Sequence, residues 1–383
     1  MTGFSNFVLS FFLLLSVTPT VIAKEFPIVG PNRFDVAITT ASLTDPGRID
    51  PFAKDKSARR MAISIYNPVT NCRKKSLQAY MPPATAAFED AKFGAYGLPN
   101  GSFPALELRT CTSTTKSSIR SSKQDFPLVL FSGALATSRF IYSSMLQSVA
   151  AAGYLVVSID HPYDTDIVEL SDGTVIEGVN IDDDELDAAL ATRVDDIAYV
   201  HLQLQNQSFV NTNVPSYGQG CSSLSKKVAT LGHSFGGAAA AGAMLQNPVI
   251  GGGINLDGSM FGPVLQSGLN RPFMLMGHDN KTQENDPSWK TVWPKLTGWK
   301  REFEVKKTAH YSFSDLPLVM DVLGLQGHLP EEVSQLLGSI EGRKMQNLTV
   351  SYVVAFLDMV LKDKPREFER LSKVFLEVVL WAK

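Results

Sequence analysis

Residues 229–241, ATLGHSFGGAAAA, set one serine between two glycines, with an apolar run before it and a run of alanines after it. The apolar run indicates a strand buried on both faces, and the alanine run indicates a helix. Gly-x-Ser-x-Gly at such a junction forms a strained turn, in which the glycines admit neighbouring backbone and the hydroxyl projects above the sheet edge. The stretch therefore predicts a parallel α/β sheet with Ser234 as a nucleophile.

The alternative reading of this turn is purely structural. Glycine and serine are common enough for the motif to arise by chance. A glycine-rich turn can also pack a helix close to a sheet, as in nucleotide-binding folds, but the chain contains neither Gly-x-Gly-x-x-Gly nor a P-loop lysine. Because both nucleotide-binding motifs are missing, we favour Ser234 as a nucleophile over a purely structural turn.

Strand and helix patterns alternate on both sides of the turn. Further buried strands are predicted in FPLVLFSG (126–133), YLVVSID (154–160), GGGINLDG (251–258), RPFMLMGHD (271–279) and REFEV (301–305). Helical patterns between them imply parallel pairing with right-handed crossovers. The sequence thus predicts an α/β fold with a mostly parallel central sheet and helices on both faces.

The two ends of the chain differ from this central pattern. The runs RRMAISIYNPV (59–69) and SLQAYMPP (76–83) predict antiparallel strands, and CTSTTKSSIRSSKQD (111–125) predicts an exposed loop. Near the C terminus we expect helices at about 330–340 and 349–361, and an amphipathic helix over 365–381. No linker divides the chain, so we expect one domain over 24–383.

Composition excludes several classes of protein. Of 383 residues, 44% are hydrophobic and 19% are charged, which is typical of a soluble globular protein. A formal charge of −3 gives no electrostatic basis for nucleic-acid binding. The sequence gives no metal site and no sign of a cofactor.

The N terminus and four sequons predict export. The apolar stretch 7–17 precedes the small-residue site Val21-Ile22-Ala23, which is the layout of a secretory signal over residues 1–23. An uncleaved anchor is the alternative, although the run is short for a bilayer. We therefore expect a secreted glycoprotein with sequons at Asn100, Asn206, Asn280 and Asn347.

Three cysteines leave one unpaired in the oxidising compartment that export implies. Cys72 and Cys111 lie in the same N-terminal region. We expect them to form a disulfide and Cys221 to be free.

A nucleophilic serine needs a base, and six histidines are candidates. His233 lies inside the turn, whereas His161 and His201 precede the serine. The order nucleophile, acid, base leaves His278, His310 and His328. His310 is favoured because it occupies the loop after REFEV; His328 is expected to be a solvated loop residue and His278 to line the pocket.

The acid and the oxyanion hole are less sharply defined. Asp257 and Asp279 both follow predicted strands at the sheet edge where α/β proteins gather their chemistry, so the residues alone leave both open. One oxyanion donor is expected at the Phe235 N–H and the other in the loop after FPLVLFSG, at Leu135 or Ala134.

Three blocks resemble the plasma-type platelet-activating-factor acetylhydrolases, secreted serine-dependent phospholipases A2 with the α/β-hydrolase fold, and their fungal relatives. They are FSGALATSRFIYSSMLQSVAAAGYLVVSIDHPYD (131–164), GHSFGGAAA (232–240) and INLDGSMFGPV (254–264). The resemblance covers roughly Ala62 to Asp315. It implies Asp257 as the acid and Leu135 as the oxyanion leucine, with Asp279 as the alternative acid.

The chain departs from the family pattern at two points. The family's first block usually has a His-Gly pair before the oxyanion leucine, whereas this chain has Gly133-Ala134. Asp279 also lies where cutinase-like polyesterases and many other α/β-hydrolases have their acid. These departures leave the substrate class open.

The resemblance implies a calcium-independent esterase that removes short or oxidised acyl chains from the sn-2 position of phospholipids by a Ser-Asp-His mechanism, as a 1-alkyl-2-acetylglycerophosphocholine esterase does. One alternative is an esterase for another secreted small molecule or a polyester. Another is a non-catalytic hydrolase-fold helper in secreted metabolite or pigment assembly. The apolar face over 368–379 favours a terminal helix packed on the core, with peripheral membrane or lipoprotein contact as the alternative.

Overall fold

The computed structural model describes residues 23–114, 126–214, 227–327, 330–364 and 367–383. The strands in these ranges are β1 (Lys24–Glu25), β2 (Asp35–Ile49), β3 (Ala58–Val69), β4 (Cys72–Ala79), β5 (Leu106–Thr114), β6 (Leu128–Ser132), β7 (Leu155–Asp160), β8 (Ile167–Glu169), β9 (Val175–Glu177), β10 (Val228–His233), β11 (Ile250–Leu256), β12 (Phe273–Gly277), β13 (Lys300–Val305) and β14 (Val378–Ala382).

The α-helices of the same ranges are α1 (Pro83–Gly94), α2 (Ser143–Ala151), α3 (Leu186–Gln203), α4 (Gln207–Asn213), α5 (Phe235–Gln246), α6 (Val264–Ser267), α7 (Pro287–Val292), α8 (Leu316–Leu323), α9 (Glu331–Leu337), α10 (Gly342–Lys362) and α11 (Phe368–Val374). Short 3₁₀ turns lie at Phe103–Ala105, Arg139–Tyr142, Asp183–Glu185, Trp293–Lys295 and His310–Phe313.

A nine-stranded sheet organises the fold, in the order β14-β13-β12-β11-β10-β6-β7-β3-β2. The six strands from β13 to β7 are parallel to their neighbours. The pairs β13–β14, β7–β3 and β3–β2 are antiparallel. The predicted α/β fold with a mostly parallel central sheet is confirmed.

The first four residues of strand β6 are apolar because both faces of the strand are buried. Its five residues are all buried. Val129 and Phe131 belong to one hydrophobic cluster, whereas Leu128 and Leu130 belong to another. Because successive side chains of a strand point to opposite faces, this division places one core on each side of the sheet.

A smaller sheet, β1-β5-β4, carries the disulfide. Cys72 in β4 is bonded to Cys111 in β5, so the predicted pairing is confirmed. The expected free Cys221 lies outside the described residues, as do residues 115–125 of the predicted exposed loop. Residues 111–114 of that loop belong to β5 instead, because they pair with β4.

The signal-like segment also lies largely outside the described residues, which begin at Ala23. Within the described ranges, no helix combines the length and apolarity that a bilayer crossing requires.

The prediction of an amphipathic helix over 365–381 is wrong. Helix α11 ends at Val374, and β14 then pairs with β13 at the sheet edge. Val378 and Val379 are β-branched residues that favour a strand once a partner strand is available. The hydrophobic pattern was ambiguous because its apolar residues fit either period, and tertiary pairing settles the choice.

The disulfide allows a test of stability. Replacing both Cys72 and Cys111 by serine should lower the free energy of unfolding by about 2–4 kcal/mol, because the bridge closes a loop between residues 39 apart. Urea unfolding monitored by circular dichroism measures the loss. Cys221→Ser is the matched control and should retain the Cys72–Cys111 peptide in a non-reducing digest; disappearance of that peptide would contradict the pairing.

Candidate active site

Ser234 lies between β10 and α5 in a backbone conformation that non-glycine residues rarely adopt, with φ 55° and ψ −125°. A Cβ atom at Gly232 would lie 1.9 Å from the Gly236 carbonyl oxygen, and one at Gly236 would lie 2.0 Å from the Ser132 carbonyl oxygen. Both positions therefore require glycine. In this tight turn the Ser234 side chain is half-buried, and the turn lies beside the end of β6.

Three side chains from separate strand ends form one chain of hydrogen bonds. His310 Nε2 lies 2.9 Å from Ser234 Oγ, and His310 Nδ1 lies 2.5 Å from Asp257 Oδ2. Because the Asp257 carboxylate can only accept, His310 carries its proton on Nδ1 and presents Nε2 as an acceptor to the serine hydroxyl. This is the arrangement of a general base poised over a nucleophile.

Asp257 is fully buried at the end of β11. Burial alone would raise the pKa of this carboxyl, but hydrogen bonds from His278 and His310 lower the pKa to about 2. His278 contributes both its backbone N–H, 2.8 Å from Oδ1, and its ring Nδ1, 2.7 Å from the same oxygen. Asp257 is therefore held as an anion.

Asp279 occupies a different position. Its carboxylate accepts from Lys306 Nζ at 3.1 Å and from the Lys307 backbone N–H at 3.0 Å. The pKa of Asp279 lies below its usual value, because these two bonds and the lysine charge outweigh the effect of burial. The structure thus brings Asp257 against His310 and places Asp279 outside the chain of hydrogen bonds.

A second polar chain connects the loop after β6 to the backbone of His310. The Ala134 N–H donates to Tyr142 Oη at 3.0 Å, and Tyr142 Oη lies 2.9 Å from His233 Nδ1. His233 Nε2 lies 2.9 Å from the His310 carbonyl oxygen, so His233 donates through Nε2 and accepts through Nδ1. Burial and the neighbouring His310 lower the pKa of His233 to about 3, which keeps it neutral.

The loop after β6 offers a spare backbone donor at Leu135. The carbonyls of Gly133 and Ala134 accept from Arg193, and the Ala134 N–H is used by Tyr142. The Leu135 carbonyl accepts from Thr137 Oγ1; the Ala136 N–H donates to the Asp164 carbonyl and the Ala136 carbonyl accepts from Lys92. Between Ala134 and Ala136, the Leu135 N–H is the donor that has no acceptor among the described residues. The same accounting removes Ala134 as a candidate donor.

Phe235 supplies the second candidate donor. It is the first residue of α5, and the first N–H groups of a helix have no acceptor within the helix. The positive end of the helix dipole adds to the attraction for a negatively charged oxygen. The N–H groups of Leu135 and Phe235 are thus the two candidate donors for an oxyanion.

The other histidines lie away from this chain. His161 is buried, with Nε2 2.9 Å from Ser132 Oγ and Nδ1 2.9 Å from Asp196 Oδ2. Burial lowers the pKa of His161. This second serine-histidine-aspartate set is 1% exposed or less at each residue, so no substrate reaches it. His201 Nδ1 lies 3.1 Å from the side-chain nitrogen of Asn247, and His328 lies outside the described residues.

Among the described residues, one group of side chains has metal-ligand chemistry at close range, namely His233, Asp257 and His310. Each nitrogen and oxygen concerned already takes part in the hydrogen bonds described above. The group is therefore explained by the hydrogen-bond chains, and we assign it no metal.

Sequence reasoning missed the contacts of three residues. His278 was expected only to line the pocket, yet it binds Asp257; its place directly after β12 was the available signal. Tyr142 and Arg193 lie in helical segments distant along the chain from Ser234, and no local pattern marks them.

Comparison with known proteins agrees with this geometry. A family model described as platelet-activating factor acetylhydrolase, isoform II, matches residues 105–169 and 221–374. A protein of Arthroderma benhamiae (strain ATCC MYA-4681 / CBS 112371) named "Probable 1-alkyl-2-acetylglycerophosphocholine esterase" is 30% identical over 375 residues, which cover 92% of each chain. A ferulic acid esterase from Streptomyces cinnamoneus superposes with a TM-score of 0.75 at 26% identity, covering 94% of this chain and all of that one.

The family match includes the turn at Ser234, Asp257 and His310, and it spans more than half of the chain. The fungal relative and the superposed structure are both named as esterases. The chain therefore belongs to the platelet-activating factor acetylhydrolase, isoform II, family and is an esterase with the α/β-hydrolase fold.

Proposed function

We propose that this protein is a serine esterase that deacylates glycerophospholipids with a short acyl chain, through an acyl-enzyme on Ser234. The observation that carries the proposal is the hydrogen-bond chain Ser234–His310–Asp257. The name of the fungal relative supports the substrate class.

Acylation begins with attack of Ser234 Oγ on the ester carbonyl carbon. His310 Nε2 takes the hydroxyl proton, and the carbonyl oxygen becomes an oxyanion that accepts from the Leu135 and Phe235 N–H groups. The Asp257 carboxylate stabilises the imidazolium through the Nδ1 hydrogen bond. When the tetrahedral intermediate collapses, the C–O bond to the alcohol breaks and His310 returns the proton to the leaving oxygen.

Deacylation repeats these steps with water. His310 Nε2 removes a proton from a water molecule, whose oxygen attacks the acyl carbon. The second tetrahedral intermediate collapses with cleavage of the bond to Ser234 Oγ, which recovers its proton from His310. The products are a carboxylic acid and the free enzyme.

An apolar cavity at Tyr311, the residue after His310, supports a substrate with a hydrocarbon chain. Tyr311 forms one side of a cavity of about 200 Å³, and Thr137 Oγ1 lies 3.3 Å from Tyr311 Oη, which connects the cavity wall to the loop of Leu135. Among the described residues of its lining, Lys92 is the charged one, and the lining also includes Phe93, Tyr96, Leu98, Leu316, Met320, Leu325, Val333, Leu336 and Leu337. Such a lining binds alkyl chains and disfavours charged groups.

Other ester substrates are the runner-up within the same mechanism. The superposed ferulic acid esterase supports an aromatic ester, and a polyester would need the same serine and histidine. A non-catalytic helper in secreted metabolite or pigment assembly would need no reactive serine. Reaction with an active-site probe separates the helper from both esterases.

Secretion and glycosylation are part of the proposal. They are supported by the signal-like N terminus and by the disulfide, which forms in oxidising compartments. Asn100, Asn206 and Asn280 are exposed, whereas Asn347 is half-buried on α10. We therefore expect glycans at the first three sequons in preference to Asn347.

Peripheral lipid contact at the C terminus is a further part of the proposal, although the amphipathic helix first expected there is absent. Its support is the exposure of apolar side chains around α11 and β14, at Val374, Leu376, Leu380 and Trp381. Packing of the terminal segment on the core would explain the burial of Phe375 and Val378, but not the exposure of these four side chains.

Ser234→Ala should abolish esterase activity and labelling by a fluorophosphonate probe, because the variant lacks the only atom that forms the acyl bond. Its melting temperature should stay within a few degrees of wild type, since the hydroxyl is half-exposed. Ser372→Ala, an exposed serine of α11, is the control and should label normally. Unchanged hydrolysis by folded Ser234→Ala would rule out the nucleophile.

Asp257→Asn should lower kcat by about 10⁴, because an amide cannot hold the Nδ1–H tautomer of His310 or stabilise its charge. Asp279→Asn is the matched control and should cost about tenfold or less, since that carboxylate faces Lys306 and Lys307. Steady-state kinetics on the two folded variants gives the comparison. The reverse ranking would move the acid to Asp279.

Filling the apolar cavity should affect substrates by chain length. Val333→Trp should raise KM at least about tenfold for a 1-alkyl-2-acetyl phospholipid with a long alkyl chain and leave p-nitrophenyl acetate hydrolysis nearly unchanged, because acetate needs no chain site. Val374→Trp, at an exposed position of α11, is the control. Equal effects on both substrates would mean that the alkyl chain of the substrate binds outside this cavity.

A further inference from the structure

Arg193 of α3 is buried, with 1% of its side chain exposed, and lies directly behind the loop of Leu135. An arginine side chain has five N–H donors in a fixed plane. Two of them bind Asp164, through Nε at 2.5 Å and through Nη2. The other three bind Ser132 Oγ and the carbonyls of Gly133 and Ala134. All five donors are therefore used, and three are directed at consecutive residues of one loop.

These bonds fix the direction of the spare donor. The Ala134 carbonyl accepts from Arg193 Nη2 at 3.2 Å, and the Leu135 N–H belongs to the same peptide group. In a planar trans peptide the N–H points opposite to the C=O. Because the carbonyl points toward Arg193, the Leu135 N–H points away from it.

The preceding peptide is held in the same way. The Gly133 carbonyl accepts from Arg193 Nη1 at 2.5 Å, and the Ala134 N–H on the opposite side donates to Tyr142 Oη. Rotation of either peptide would break a bond to the guanidinium. Because a buried carbonyl without a hydrogen-bond donor is destabilising, the loop has one favoured orientation.

The guanidinium also contacts the other half of the oxyanion hole. Its carbon lies 4.9 Å from the centre of the Phe235 ring, a cation–π distance. Phe235 supplies the second N–H through its backbone. One side chain thus contacts both the peptide group that carries the Leu135 N–H and the ring of Phe235.

Asp164 holds the guanidinium from behind. Its carboxylate neutralises the buried charge through two bonds, and its backbone carbonyl accepts the Ala136 N–H at 2.9 Å. A bidentate arginine–carboxylate pair restricts the guanidinium to one plane. The pair therefore holds the loop on both sides of Leu135. Arg193 binds the Ala134 carbonyl before it, and the Asp164 carbonyl binds the Ala136 N–H after it.

We propose that Arg193 is a positioning residue of the oxyanion hole, which orients the Leu135 N–H toward the tetrahedral intermediate by binding the Gly133 and Ala134 carbonyls. The proposal rests on the proposed esterase mechanism, and it deepens that mechanism. Arg193 does not touch the substrate, so its effect is confined to states that carry an oxyanion.

Arg193→Lys tests this assignment, because lysine keeps the positive charge but cannot bind two carbonyls and Asp164 in one plane. Loss of an oxyanion donor costs about 10²–10³ in kcat, and we expect a smaller loss of about 10- to 100-fold from misalignment. A trifluoromethyl ketone, whose hemiketal carries the oxyanion, should bind more weakly by a similar factor. KM and the affinity of a non-cleavable ether analogue should change by less than about threefold.

Arg271→Lys is the matched control, since the Arg271 guanidinium binds the Met244, Asn247 and Ile250 carbonyls at the opposite end of α5 and β11. It should destabilise the protein without changing kcat or ketone affinity per folded molecule.

If Arg193→Lys does not fold, Asp164→Asn is the second variant. It removes one acceptor of the guanidinium and should lower kcat while leaving KM nearly unchanged. Wild-type kcat, or a lowered kcat with unchanged ketone affinity, would overturn the positioning role. Failure of the ketone to inhibit the wild type would instead contradict the esterase mechanism itself.

Discussion

Close approach of three backbone segments at Ser234 is the constraint on which the site depends. Gly232 and Gly236 let the turn close on itself and on the end of β6, where a Cβ would overlap a carbonyl oxygen. The same contact gives Ser234 its positive φ and lifts the hydroxyl out of the turn. It also brings the start of α5 against the end of β6 and Gly133, next to the loop that carries the Leu135 N–H.

Among the described residues, hydrogen bonds from histidine ring and backbone N–H groups stabilise the charge of Asp257, and no lysine or arginine contacts this carboxylate. Asp257 is fully buried, and its carboxylate is stabilised by three donors from His278 and His310. Asp279, by contrast, is paired with Lys306 near the surface. A cation on Asp257 would compete with the imidazolium that forms during the reaction. A carboxylate bound by imidazole and amide donors keeps its attraction for a protonated His310.

Two serine-histidine-aspartate sets on one sheet show that residue types alone do not define an active site. Ser132, His161 and Asp196 have the same order of contacts as Ser234, His310 and Asp257. The first set is enclosed, and Arg193 donates to its serine. Its role is structural, since it supports the strand end that precedes Leu135. Access to the substrate and available oxyanion donors distinguish the second set.

Sequence alone determined the features that depend on local pattern. The parallel strands, the turn at Ser234 and the loop of His310 follow from apolar runs, glycine spacing and chain order, because these act between near neighbours. The choice between Asp257 and Asp279 did not follow from the residues, since both come after strands at the same sheet edge. Family resemblance favoured Asp257, and the structure turns its carboxylate toward His310.

Only the tertiary structure decided the remaining contacts. The C-terminal residues form a strand because β13 offers an unpaired edge, and His278 binds Asp257 because two strand ends meet. Arg193 reaches a loop about 60 residues earlier in the chain, where its five donors meet their acceptors. Hydrogen bonds between distant segments leave no periodic trace in a sequence, because direction and distance are set by how the strands and helices pack.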